Sequence, residues 1–180
     1  DVAPSRGLGD VYKRQGNDCA AAIAEHISGS QEAFAELMNT EAKQLGATGT
    51  HFVNPHGLHD ENHYTTTYDL YLMFNEALKD QAFLDIISMN SYTAKVTSAD
   101  GTSYTPTWQA TNYYSAGEAT PPDGIHVYGG KTGTTDQAGN CVILYEKNTA
   151  GEPYISVIMG ASDKPLLYEE MNELLDAGMK

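Results

Sequence analysis

Lys131-Thr132-Gly133-Thr134-Thr135 gathers the residue types of this chain that could do chemistry together. Residues 125–130 (IHVYGG) lead into it and read as a strand. Such a strand can offer an ammonium, a hydroxyl and unpaired backbone N–H groups along one edge. Those groups suit a ligand with a free carboxylate and a carbonyl under attack. Ammonium and hydroxyl bind an anion through charge-assisted hydrogen bonds. Backbone N–H groups aimed at a developing oxyanion stabilise it. The triplet Lys131-Thr132-Gly133 alone also fits a surface lysine before an ordinary turn, so its surroundings must decide.

A second cluster invites a different chemistry. His51, His56, His59 and His63 stand near Asp60 and Glu61. Zinc sites use imidazole and carboxylate ligands, so a metal-dependent hydrolase built on residues 51–63 is an alternative. The spacings place these histidines in a loop and match no zinc pattern. They are read as structural or solvent-exposed, and no cofactor is expected. Trp108 and the 12 tyrosines could stack on carbohydrate, but core packing and cross-strand pairing account equally for Tyr92, Tyr104 and Trp108.

The elements that would position the strand follow from periodicity. Residues 17–27 (NDCAAAIAEHI) form an alanine-rich helix, with Asn17 or Asp18 as its cap. Ser30 caps a second helix, with Ala33, Phe34, Leu37 and Met38 as its stripe, running to about Leu45 and stopped by Gly46. Residues 47–64 are loop. Thr66 and Asp69 have capping-box spacing before a third helix with Leu70, Met73, Phe74, Ala77 and Leu78 inward. Residues 80–89 form a shorter helix. Residues 92–96 and 104–108 read as a hairpin around Asp100-Gly101. Residues 113–124 are loop. Strands at 141–146 and 154–160 follow the motif strand, and Asp163 caps a last helix through Leu167, Met171, Leu174 and Leu175. Helices, then antiparallel strands, then a helix packing back make an α+β domain.

The chain has 180 residues, enough for one domain or most of one, and a net charge of −14. An acidic surface argues against nucleic acid or anionic lipid as partner. No apolar run approaches the ~20 residues that span a bilayer. Cys19 and Cys141 match no metal or redox spacing and are read as two separate buried thiols, with a disulfide as the alternative. Residues 1–15 (DVAPSRGLGDVYKRQ) lack periodicity and caps and hold three of the ten cationic residues. They resemble a leader that recurs on unrelated fragmentary reading frames, and are read as non-native and set apart from residues 16–180.

Lys-Thr-Gly is one of three short motifs of the penicillin-binding protein and β-lactamase group, with Ser-x-x-Lys and Ser-x-Asn. Gly16-Asn17-Asp18-Cys19-Ala20-Ala21 resembles the Ser-Gly-Asn-Asp-Ala-Ala segment of the serine-type D-alanyl-D-alanine carboxypeptidases, the low-molecular-weight penicillin-binding proteins. The second helix, residues 50–58 (THFVNPHGL) and residues 130–139 (GKTGTTDQAG) also look like that family. The resemblance runs from Gly16 to about Lys180, and implies a partial transpeptidase-like fold.

The resemblance implies acyl transfer on peptidoglycan stem peptides ending in D-Ala-D-Ala, outside the bacterial cytoplasmic membrane. A serine of Ser-x-x-Lys attacks, the lysine of that motif is the base, and β-lactams acylate the same serine. By the same likeness Asn17 would hold the substrate amide. Lys131 would supply positive charge and Thr132 would bind the carboxylate. Gly133 would let substrate backbone lie close, and the Thr134 N–H would be an oxyanion donor. Two departures stand out. Gln15 occupies the place of the serine of Ser-x-Asn, and no serine has a lysine three residues on; Ser91 comes closest, with Lys95 at four. The expectation is therefore a C-terminal piece of such an enzyme, inactive as it stands, with apolar surface uncovered where a nucleophile-bearing helix packs. A β-lactamase is a nearer variant of this reading. A non-catalytic module that holds stem peptides through Lys131 and Thr132 is the other alternative.

Overall fold

The computed structural model describes residues 16–98 and 100–178. The expected leader, residues 1–15, lies outside the described residues, as does Gln15. The chain divides into two compact units, Asp1–Asp69 and Leu70–Lys180.

The first unit carries α1 (Asn17–Ser28) and α2 (Gln31–Gln44). The expected cap of α1 is corrected. Gly16 takes the N-cap position in left-handed geometry (φ 86°), and its carbonyl accepts from Ala20 N at 2.7 Å. Neither Asn17 nor Asp18 caps; Asn17 is the first helical residue. Ser30 does cap α2, its hydroxyl accepting from Ala33 N at 3.1 Å. The stripe of α2 is shifted from the expected one: Ala35 and Ala42 are buried, whereas Ala33 is exposed and Leu37 is 52% exposed. The cause is Asn39, whose carboxamide grips the Phe52 backbone in both directions, Nδ2 to O at 2.8 Å and Oδ1 from N at 2.7 Å. With Asn39 turned inward, Leu37 on the other flank faces out. Ile23 and Ile27 of α1 are also more than half exposed, so an uncovered apolar face exists on this unit.

The loop between α2 and the next helix closes on itself. His51 and Tyr64 form an antiparallel bridge with both backbone bonds made, at 2.9 and 3.0 Å. The capping box is half made. Thr66 Oγ1 accepts from Asp69 N at 3.0 Å, but the buried Asp69 carboxylate turns to the Thr50 hydroxyl, 2.7 Å away, instead of reaching back to the cap. α3 (Thr67–Ala77) starts here, and the unit boundary falls within it.

In the second unit, Phe74 of α3 is buried edge-on to Phe83 of α4 (Gln81–Ile87), and Asp80 caps α4. The expected hairpin forms in two pieces: β1 (Ser91–Thr93) pairs with β4 (Thr107–Gln109), and β2 (Val96–Thr97) with β3 (Ser103–Tyr104). The ladder breaks beside Pro106, which has no N–H to donate. Tyr92 stacks across the pair on Trp108, the cross-strand role the sequence allows. The region read as loop from 113 contains a short helix, α5 (Tyr113–Ala116), because Asn112 Oδ1 accepts from Ser115 N at 3.0 Å and closes the turn.

β5 (Ile125–Thr135), β6 (Gly139–Asn148) and β7 (Pro153–Ala161) form an antiparallel sheet in that order, and α6 (Lys164–Ala177) lies on one face. The core is Ile125, Val142, Leu144 and Ala161 from the sheet with Leu167, Tyr168, Met171 and Leu175 from α6. Leu174, expected inward, is 41% exposed, whereas Tyr168 is buried in the core with its ring stacked on Tyr113 at 4.4 Å. The α+β class is as the sequence indicates. Both cysteines are free, but Cys19 is exposed and Cys141 half-buried, so the expected burial of Cys19 is corrected.

Candidate active site

The motif strand is β5, at one edge of its sheet, with β6 on its other side. Two glycines dock it. A Cβ on Gly129 would stand 1.9 Å from the carbonyl oxygen of Ile87, so the end of α4 rests on bare backbone. A Cβ on Gly130 would stand 2.0 Å from the Ile143 carbonyl oxygen of β6. The register of the pair shifts between Val127 and Gly129, and past that irregularity the ladder runs unbroken from Gly129 opposite Tyr145 to Thr135 opposite Gly139. Close packing thus ends where the motif begins.

Gly133 differs in kind. A Cβ there meets no atom of the described residues within 4 Å, and its φ is not in the left-handed range. Neither packing among the described residues nor backbone conformation requires glycine at this position. A residue without a side chain on an exposed strand edge leaves room for another backbone.

Lys131 and Thr132 leave the strand on opposite faces, as their registers with Ile143 and Val142 require. Lys131 is exposed as a residue, yet packing about its ammonium partly desolvates it and holds its pKa below the ordinary lysine value. The ammonium donates to the Thr132 carbonyl oxygen. The Thr132 hydroxyl lies 2.7 Å from that of Thr111. The Thr134 hydroxyl donates to Asn140 Oδ1 at 3.2 Å, and Asn140 Nδ2 donates to the Ala161 carbonyl at 3.3 Å, which ties the strand end to β7. Lys131, Thr132, Gly133 and Thr134 therefore share one strand of the second unit. Asn17 sits in the first unit, in the first turn of α1.

Three rings of the histidine loop bond within the loop through Nδ1. His51 Nδ1 is 2.6 Å from the Asn62 carbonyl, His56 Nδ1 accepts from Leu58 N at 3.2 Å, and His63 Nδ1 accepts from Val53 N at 3.2 Å. Burial holds the His63 pKa below its ordinary value, against the opposing pull of Asp60. Among the described residues no group of three or more His, Cys, Asp or Glu gathers to hold a metal ion.

Thr111 and Asn112 carry no motif and were not among the candidates. Thr111 could not be found from sequence, because it reaches Thr132 across 21 residues. Asn112 left a trace, a cap-forming residue three before Ser115.

A family model described as D-alanyl-D-alanine carboxypeptidase, Peptidase S11, matches residues 10–163. The chain belongs to that family. Among curated relatives, the D-alanyl-D-alanine carboxypeptidase DacF of Bacillus subtilis is 32% identical over 161 residues, covering 89% of this chain and 39% of its own length. DacA of Haemophilus influenzae is 32% identical over 165 residues, covering 91% of this chain and 38% of its own. The crystal structure of the Streptomyces K15 DD-transpeptidase superposes with a TM-score of 0.80 at 25% identity, covering 90% of this chain and 62% of that one. The chain thus spans about two fifths of these curated relatives, and the family assignment covers both α1 and the motif strand.

Proposed function

We propose that this chain forms the stem-peptide-holding part of a serine-type D-Ala-D-Ala carboxypeptidase, and that β5 receives the C-terminal end of the peptide. The observation that carries the reading is Gly133, a glycine that the fold does not need, in a strand whose two preceding glycines it does need. Ligand backbone would run along the β5 edge over Gly133. Thr132 would hydrogen-bond the terminal carboxylate, Lys131 on the other face of the strand would attract it by charge, and the Thr134 N–H would face the carbonyl under attack. The family match supports these roles because it spans the segments that carry them.

The sequence contains no Ser-x-x-Lys. The chain as given therefore binds and does not acylate, and β-lactams would form adducts only with a form that carries the nucleophile. The working location is the outer face of the bacterial cytoplasmic membrane, where peptidoglycan lies. None of the described helices is long and apolar enough to cross a membrane.

Calorimetry with N-acetyl-D-alanyl-D-alanine tests the reading. The wild-type chain binds it, and Lys131→Ala weakens binding at least about tenfold, as expected when a charge-assisted contact is lost. A wild-type chain that shows no binding sinks the proposal. Intact mass after incubation with labelled penicillin stays unshifted; a covalent adduct would overturn the inactivity.

A further inference from the structure

Thr111 touches Thr132 of the motif from outside the sheet. Its Oγ1 lies 2.7 Å from Thr132 Oγ1, within hydrogen-bond distance. Each hydroxyl has one proton and two lone pairs. The bond uses one proton, so its direction matters. If Thr132 donates to Thr111, only lone pairs of Thr132 remain, and they repel an anion. If Thr111 donates to Thr132, the Thr132 proton is left for an acceptor beyond the pair.

Thr111 is also held on both sides. Before it, Ala110 N donates to the Asn90 carbonyl at 2.8 Å. After it, Asn112 is 2% exposed, its carboxamide bonded to Ser115 N at 3.0 Å and Ser115 Oγ at 2.7 Å. Next along the chain, Tyr113 N donates to the Tyr168 hydroxyl of α6 at 2.8 Å. The exposed side chain of Thr111 thus projects from backbone pinned to the hairpin and to the core helix.

We propose that Thr111 is a positioning residue for Thr132. Its hydroxyl donates to Thr132, fixes the Thr132 side-chain rotamer, and turns the Thr132 proton toward a ligand carboxylate. A hydroxyl that already accepts a bond is polarised and donates more strongly. The relay favours an anionic chain end over a neutral one. This rests on the reading of Thr132 as a carboxylate contact, and the experiment separates the two.

Isotope-labelled wild type, Thr111→Val and Thr111→Ser are compared by NMR, with Thr111→Ala in place of the valine variant if that folds poorly. Without ligand, three-bond couplings report one Thr132 rotamer in wild type and Thr111→Ser, and an averaged one in Thr111→Val. The chains are then titrated with N-acetyl-D-alanyl-D-alanine and with its C-terminal amide. The carboxylate peptide binds Thr111→Val roughly three- to tenfold more weakly, the range for one hydrogen bond, and binds Thr111→Ser as it binds wild type. The amide binds all three alike. A Thr132 rotamer unchanged in Thr111→Val overturns the positioning claim, as does an equal loss for both peptides. Wild type that binds neither peptide overturns the carboxylate reading, and the rotamer comparison then decides the role of Thr111 alone.

Discussion

Gly129 lies so close to Ile87 that a Cβ on it would stand 1.9 Å from the Ile87 carbonyl oxygen. The obstacle is backbone at the end of α4, which cannot rotate away as a side chain can. Gly129→Ala must therefore push α4 off β5 or distort the strand ahead of Lys131. Overpacking of this kind costs about 1–3 kcal/mol, sometimes more. Urea unfolding should place Gly129→Ala at least ~2 kcal/mol below wild type by that scale. A loss within error would mean that α4 yields freely.

Gly133→Ala should behave in the opposite way. Its new methyl meets nothing among the described residues within 4 Å. Alanine is favoured over glycine in a strand by roughly 0.5–1 kcal/mol, so stability should hold or rise slightly. Binding of N-acetyl-D-alanyl-D-alanine should fall, because the methyl occupies the line of approach. If the alanine variant binds like wild type, ligand backbone does not lie over this residue.

Asn39 tests the first unit by itself. Its carboxamide makes two bonds to the Phe52 backbone, at 2.8 and 2.7 Å. Asn39→Ala leaves the Phe52 N–H and C=O without that partner, which costs roughly 1–3 kcal/mol. Hydrogen exchange at the Phe52 amide should accelerate in the variant. Unchanged protection there would show that another group holds the loop.

These particulars mark what was legible beforehand. Caps formed by a side chain on its own helix, as at Ser30 and Asp163, could be read because the signal is local. So could the order of strands, which follows from alternation and turn glycines. The inward face of α2 could not, since Asn39 is placed by a partner 13 residues away. At the site, Lys131-Thr132-Gly133 announced itself as a motif, but the packing that requires Gly129 and Gly130 did not. Glycine is one letter whether it admits a helix end or a neighbouring strand. Thr111 was silent for the same reason as Asn39: its partner is set by tertiary packing.

Glu146 should make stability depend on pH. It points to the α6 side of the sheet from β6 and is 1% exposed. The Ser156 hydroxyl bonds its Oε1 at 2.5 Å, while Oε2 has no hydrogen-bond partner among the described residues. Burial pushes its pKa from an ordinary 4.5 up to about 7, against the opposing effect of the Ser156 bond. The nearby Tyr114 phenol, itself pushed upward by burial, offers no positive charge to offset ionisation. Below pH 4.5 the carboxyl is protonated in both folded and unfolded chains, and its contribution is fully present. Between there and about 7 the unfolded chain gives up its proton while the folded chain keeps it, so stability falls as pH rises. Above that the contribution is level again. The shift corresponds to a loss on the order of 3 kcal/mol across the window. Glu146→Gln keeps an acceptor for Ser156 and cannot ionise. Urea midpoints from pH 4.5 to 8.5 should show the variant gaining on wild type as pH rises. Parallel pH profiles for the two chains would mean that Glu146 does not keep its proton in the fold.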